Sequence, residues 1–237
     1  MLAVKALTFD VFGTVVDWRR SVAREAEAAL APKGYALDWN GFALAWRARY
    51  QPAMQRVRRG GRGFVKLDVL HRENLLEVLE DFGVAGLSEA ETDDLNRAWH
   101  RLDPWPDVLP GMARLRAKYP LAALSNGNVA LIVNMARRAG IRWDAILGAE
   151  VARAYKPMAQ AYLSAAEMLG LAPAEVALVA AHNDDLKAAS DAGLRTIFIP
   201  RRTEMADEGQ TKDLEPWEGA DLAADDFEDL ADRLGCP

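Results

Sequence analysis

Cysteine is almost missing from this chain. The single Cys236 excludes an internal disulfide framework and any Cys-based metal site. Histidine is also scarce, and His71, His100 and His182 show no ligand spacing, which argues against a zinc centre. No apolar run approaches the ~18 residues of a membrane span. No basic n-region followed by an apolar h-region opens the chain, so the expectation is a cytoplasmic protein. Basic blocks are lacking too, and the net charge of −6 argues against a nucleic-acid partner. What remains is ordinary for a globular protein: 237 residues, 51% hydrophobic and 27% charged, enough to bury a good core.

The segment Lys5-Ala6-Leu7-Thr8-Phe9-Asp10-Val11-Phe12-Gly13-Thr14 is an apolar run that ends in one carboxylate, followed at once by a glycine and a hydroxyl. Asp10 thus stands where a strand stops and a turn begins; alone, it is equally a simple turn residue. From Asp17 to about Leu102 the periodicity predicts helices and no strand: Asp17 to Pro32, a second around Phe42 to Met54, a third near Leu67 to Phe82, and a fourth from Ser88 to Leu102. Ser88 and Glu91 have capping-box spacing. Beyond the proline-rich Asp103–Pro110 connector, short apolar runs alternate with helical stretches. The runs are Leu121–Leu124, Ala145–Ala149, Val176–Ala181 and Arg195–Pro200, and an acidic tail follows. Such alternation implies βαβ units and a parallel sheet covered on both faces. The expected fold is α/β, a Rossmann-like parallel core made of residues 1–16 and 103–237, with a helical cap of residues 17–102 inserted after the first strand.

In open α/β sheets, ligands bind outside the carboxyl ends of the strands. That rule gathers Asp10, Ser125, Asn126 and Asp185, each just after an apolar run, with Lys156 a loop away from one. Two carboxylates, a lysine and a Ser-Asn pair suggest nucleophilic catalysis through an ester intermediate.

At this point Phe-Asp-Val-Phe-Gly-Thr, Leu-Ser-Asn-Gly, Tyr-Lys-Pro and the late Asp185-Leu-Lys-Ala-Ala resemble, in order, the four motifs of the haloacid dehalogenase superfamily. The resemblance covers the whole chain, helical cap included. Phosphatases of that superfamily carry a second Asp two residues after the nucleophile, where it protonates the leaving alkoxide. Here that position is Phe12, which cannot be a general acid. Ala180 and Ala181 stand where phosphatases place a Mg²⁺ ligand, so a hard-cation site looks underfilled and no metal or other cofactor is expected. Both departures favour the branch that resembles L-2-haloacid dehalogenases.

The resemblance then implies the following roles. Asp10 attacks C2 of a small 2-haloalkanoic acid, giving an ester and halide, and Asp185 activates the water that hydrolyses it to the 2-hydroxy acid. Lys156 keeps Asp10 ionised, and Thr14 orients it. Ser125 holds the substrate carboxylate, and Asn126 helps with the halide. Arg47, just after Trp46, is the counterpart of a halide-binding cap arginine. Tyr162 matches a tyrosine near the carboxylates, while Phe12, Trp46 and Leu67 wall the C2 substituent. In the fourth motif Ala180, His182 and Asp184 replace Ser, Asn and an aromatic. His182 is read either as a hydrogen-bond donor in place of the serine or as a neutral residue behind the site. Asp184 is expected to make the pocket more acidic and less apolar. A superfamily phosphatase and a non-catalytic relative remain the alternatives. The expected partners are a small haloacid and halide, with no nucleic acid or membrane, and a homodimer formed through the cap helices.

Overall fold

The computed structural model describes residues 2–61 and 63–237. Its strands are β1 (Ala6–Phe9), β2 (Val16–Asp17), β3 (Asp103–Pro104), β4 (Leu121–Ser125), β5 (Ala145–Gly148), β6 (Val176–Ala180), β7 (Arg195–Phe198) and β8 (Leu222–Ala223). Six of them form one sheet in the order β5-β4-β1-β6-β7-β8, and every pairing in it is parallel. β1 lies between β4 and β6, with Leu7 opposite Leu121 on one side and Ala177 on the other.

β1, β4 and β6 are buried along their whole length, as the unbroken apolar runs require in a sheet covered on both faces. One face carries Leu7, Phe9, Ala123, Ala177 and Val179. Over it pack α6 (Val108–Arg116), α7 (Val129–Ala139) and α11 (Phe227–Arg233). The other face, with Leu124, Leu178 and Ala180, is covered by α9 (Ala159–Met168) and α10 (Asn183–Asp191). Burying each large side chain of this kind contributes about 1.5–3 kcal/mol. The tail after β7 is not merely acidic; it supplies β8 and α11, whose Phe227 stacks on Phe9 with ring centroids 5.5 Å apart.

Between β2 and β3 the described chain holds α1 (Trp18–Leu30), α2 (Trp39–Ala48), α3 (Tyr50–Arg58), α4 (Leu67–Asp81) and α5 (Glu89–Asn96), with short 3-10 turns. β2 and β3 pair antiparallel, Val16 opposite Pro104 and Asp17 opposite Asp103, so this helical segment leaves and rejoins the sheet through one two-residue ladder. The Asp17 side chain caps α1 by accepting from the Arg20 amide. Ser88 and Glu91 form the reciprocal capping box at α5. The second expected helix is divided into α2 and α3 at Arg49, and α5 ends at Asn96, before a 3-10 turn from Arg97 to His100. Among the described residues, no helix is long and apolar enough to cross a membrane.

Candidate active site

Asp10 follows the last residue of β1, and its backbone N–H donates to the Val179 carbonyl at 3.0 Å. The chain then turns sharply. Gly13 sits at φ +90°, and Val15 donates back to the Val11 carbonyl. Trp105 Nε1 donates to the Gly13 carbonyl, and Arg201 Nε to the Thr14 carbonyl, both at 2.9 Å. The Arg201 guanidinium is itself paired with the Asp107 carboxylate. The turn bearing the carboxylate is therefore fixed from both sides.

Lys156, in the loop before α9, brings the two carboxylates together. Its Nζ donates to Asp10 Oδ1 at 2.9 Å and to Asp185 Oδ2 at 2.5 Å. Asp185 lies in the first turn of α10, where the helix dipole favours an anion. Tyr162, on α9, donates to Asp185 Oδ1 at 2.6 Å. Thr14 Oγ1 donates to Asp10 Oδ2 at 2.9 Å and accepts from the Ala181 amide at the end of β6. Asp10 and Lys156 are only 7% and 6% exposed. Burial alone would raise the carboxyl of Asp10, but Lys156 and His182 outweigh it and hold the group well below the usual carboxylate range. Burial would likewise lower the Lys156 ammonium; Asp10 and Asp185 outweigh it and keep it protonated. Burial, and then Asp185, push the Tyr162 hydroxyl up, so it stays a neutral donor.

The remaining residues singled out in the sequence fall into two groups. His182 joins the carboxylates directly: its Nδ1 is 3.2 Å from Asp10 Oδ2 and its Nε2 is 2.9 Å from Glu204 Oε2. Burial favours the neutral ring, yet Glu204 and Asp10 raise it well above the ordinary histidine value. His182 thus lies between two carboxylates, within hydrogen-bond reach of Asp10. Ser125, fully buried, accepts from the Gly127 amide through Oγ, and Asn126 Oδ1 accepts from the Lys156 amide. Asn126 therefore anchors the loop that carries the lysine.

Arg47 stands on the helical side, its guanidinium 4.0 Å from the centre of the Tyr50 ring and 5.3 Å from Trp18. Its Nη1 is buried with no hydrogen-bond partner among the described residues. Phe12 packs edge-on against Tyr50, His71 and Trp99, and two of its ring carbons would lie 3.3 Å from a Cβ at Gly127. Trp46 is a layer further back, its ring against Trp99, His71 and Phe42; Leu67 is buried in the same core.

Asp184 corrects one expectation. Its side chain is 74% exposed and paired with Lys212, so it faces solvent and does not acidify the pocket. Glu204 was not foreseen. It lies in irregular chain five residues beyond Ile199, and its only sequence signal is that it follows the carboxyl end of β7. A groove of about 440 Å³ lined by Ala53, Arg56, Arg59, Gly61, Leu70 and Glu73 opens elsewhere and involves none of these carboxylates.

A buried carboxylate with one oxygen bonded by an ammonium, and a second carboxylate across that ammonium, is arranged for nucleophilic attack followed by water activation. A family model described as haloacid dehalogenase-like hydrolase matches residues 4–193. The (S)-2-haloacid dehalogenase of Xanthobacter autotrophicus is 30% identical over 207 residues, covering 86% of this chain and 78% of that protein. A solved structure of a defluorinating L-2-haloacid dehalogenase is 48% identical with a TM-score of 0.96, covering 98% of this chain and 96% of the other. Another, of an L-2-haloacid dehalogenase, is 47% identical with a TM-score of 0.94, covering 98% and 99%. With the site geometry and this breadth of match, the chain belongs to the haloacid dehalogenase-like hydrolases.

Proposed function

We propose that the protein is a hydrolytic dehalogenase that converts small 2-haloalkanoic acids, haloacetates among them, to 2-hydroxy acids through an ester of Asp10. The observation that carries this reading is the Asp10–Lys156–Asp185 bridge, with Phe12 rather than an acid two residues after the nucleophile. Halide leaves without a proton, so the missing general acid is no obstacle; an alkoxide leaving from phosphate would need one.

Asp10 Oδ2 is occupied by Thr14 and His182, whereas Oδ1, among the described residues, accepts only from Lys156 and keeps a lone pair for attack. Oδ1 displaces halide from C2 with inversion. The unpartnered Nη1 of Arg47 suits the developing halide charge. Ser125 and neighbouring backbone N–H groups take the substrate carboxylate, and Phe12 walls the C2 substituent. Asp185 then removes a proton from water as its oxygen bonds to Cγ of Asp10. When the Cγ–Oδ1 bond breaks, Oδ1 leaves with the product and takes a proton from Lys156, which Asp185 replenishes across 2.5 Å. The second proton of the water departs from the restored Asp10 carboxyl.

A single turnover with bromoacetate in ¹⁸O-labelled water tests the route. Label should appear in the Asp10 carboxylate and be missing from the first glycolate formed; label in that glycolate would rule out the ester. The homodimer belongs to the same proposal. Val69 and Leu76 are both exposed and stand seven residues apart on α4, one apolar face that a second copy could cover. Light scattering that gives a single-chain mass at micromolar concentration would refute it.

A further inference from the structure

Glu204 has no place in the chemistry so far, yet it is one of the most enclosed carboxylates in the molecule. It is 4% exposed. Trp18 Nε1 donates to its Oε1 at 2.8 Å, His182 Nε2 lies 2.9 Å from its Oε2, and its backbone carbonyl accepts from Arg19 Nε at 3.1 Å. The nucleophile turn is shaped around it: a Cβ at Gly13 would stand 2.2 Å from Oε1, and the φ of +90° there already favours glycine. Both nitrogens of His182 therefore face carboxylates, Asp10 at Nδ1 and Glu204 at Nε2. Carboxylates only accept hydrogen bonds, so both nitrogens must donate, and only the imidazolium has two donors.

We propose that Glu204 is a positioning residue that holds His182 as a two-donor imidazolium, so that its Nδ1–H and the Thr14 hydroxyl form an oxyanion hole for Asp10 Oδ2. The inference rests on the ester reading above. When water bonds to Cγ, the carbonyl π pair moves to Oδ2, and that charge develops against one charged and one neutral donor already in place. As the pair returns, the Cγ–Oδ1 bond breaks; no proton moves between His182 and Oδ2 at any point. Hydrolysis of the ester thus depends on Glu204 more than its formation does.

The groups that set the charge of His182 come from several elements. Asp10 faces it from the end of β1 and Glu204 from the loop after β7. Asp184 feels it from the start of α10. Arg47 and Lys212 act on Glu204 from α2 and from the loop before β8. The balance favours the charged ring. Deprotonation at alkaline pH removes one of the two donors, so hydrolysis should show an alkaline limb governed by His182.

The experiment is rapid-quench bromide release from bromoacetate, with intact-mass detection of the carboxymethyl ester, on wild type and Glu204→Gln. The variant should release a burst of one bromide per site, accumulate the ester, and turn over on the order of 10²-fold more slowly. Its alkaline limb should move to lower pH, and in a His182→Asn background the same change should have little effect. Equal slowing of both steps with an unmoved pH profile, or loss of thermal stability alone, overturns the proposal and assigns Glu204 a purely structural role. Should Glu204→Gln fail to fold, ¹⁵N shifts of the His182 ring in the wild-type protein decide it: both nitrogens protonated at pH 7 supports the proposal, and a neutral ring overturns it. Absence of halide release by the wild type would instead sink the ester reading itself.

Discussion

The sheet edge and the helical segment above it both bury polar side chains, on opposite terms. At the sheet edge each group is reciprocated: Glu204, His182, Asp10, Lys156, Asp185 and Tyr162 form one chain of hydrogen bonds with alternating charge, and Trp18 of α1 closes it at Glu204. On the helical side Arg47 Nη1, both ring nitrogens of His71, the Asn74 amide and Trp99 Nε1 are also buried and have no hydrogen-bond partner among the described residues. An unsatisfied buried polar group costs about 1–3 kcal/mol, whereas removing one member of a buried charge pair costs about 3–5 kcal/mol, because the other charge is left uncompensated. The contrast teaches that Asp10, the proposed nucleophile, is held rigidly before substrate arrives. Arg47 Nη1, which the proposal above gives to the halide, is instead left with capacity to spare.

The largest effect should come from Asp10→Asn, which removes the nucleophile and should lower halide release by at least about 10⁴-fold, read by ion chromatography. Next, Lys156→Met leaves two buried carboxylates facing each other. It should destabilise the fold by about 3–5 kcal/mol in urea titrations. It should also bring an acid limb into the rate profile. Asp10 is held below its unfolded value, so the stability it adds is present above that value and is lost only as pH falls through the depressed one. Wild-type activity should accordingly stay flat from neutrality to about pH 5, well above the ordinary Asp value of about 3.9.

Arg47→Met breaks the comparison at its other end. It should lower kcat/KM by about 10²–10³-fold while leaving the melting temperature nearly unchanged or higher. A destabilisation as large as that of Lys156→Met would show that the two regions do not differ as described. The smallest effect on activity belongs to His71. Burial, assisted by Arg47 and His100 and opposed by Asp68, pushes its ring down to about 3. The folded value lies below the unfolded one, so the unfolded chain binds the extra proton and stability falls as pH drops from about 6.5 towards 3. The slope is at most about 1.4 kcal/mol per pH unit. His71→Phe should flatten that slope; urea midpoints at pH 7, 5 and 4 would reveal it.

Much of the sheet was legible because β1, β4 and β6 are buried on both faces and so read as continuous apolar runs. Asp10, Ser125, Asn126 and Asp185 were legible as the residues just after such runs, and Lys156 through the Tyr-Lys-Pro stretch. The β2–β3 ladder was not, since two residues carry no periodicity. Nor was α11, whose Phe227, Leu230 and Ala231 are set among acidic residues and show their burial only against α6 and Phe9. Glu204 escaped because its meaning lies in partners 186 and 22 residues away. Asp184 misled because adjacent residues in the first turn of a helix point in different directions: Asp185 turns to Lys156, and Asp184 turns to water.

The central position of β1 also governs how the chain can be made. Its neighbours begin at Leu121 and Val176, so during synthesis the earliest strand stays without either edge partner while the whole helical segment emerges ahead of them. Pairings between such distant segments form slowly and leave apolar chain exposed meanwhile. Nascent chains halted before Val176 should therefore bind holdase chaperones, and chains halted after Phe198 should release them. The strand that aims Asp10 is thus among the last parts of the molecule to find its place.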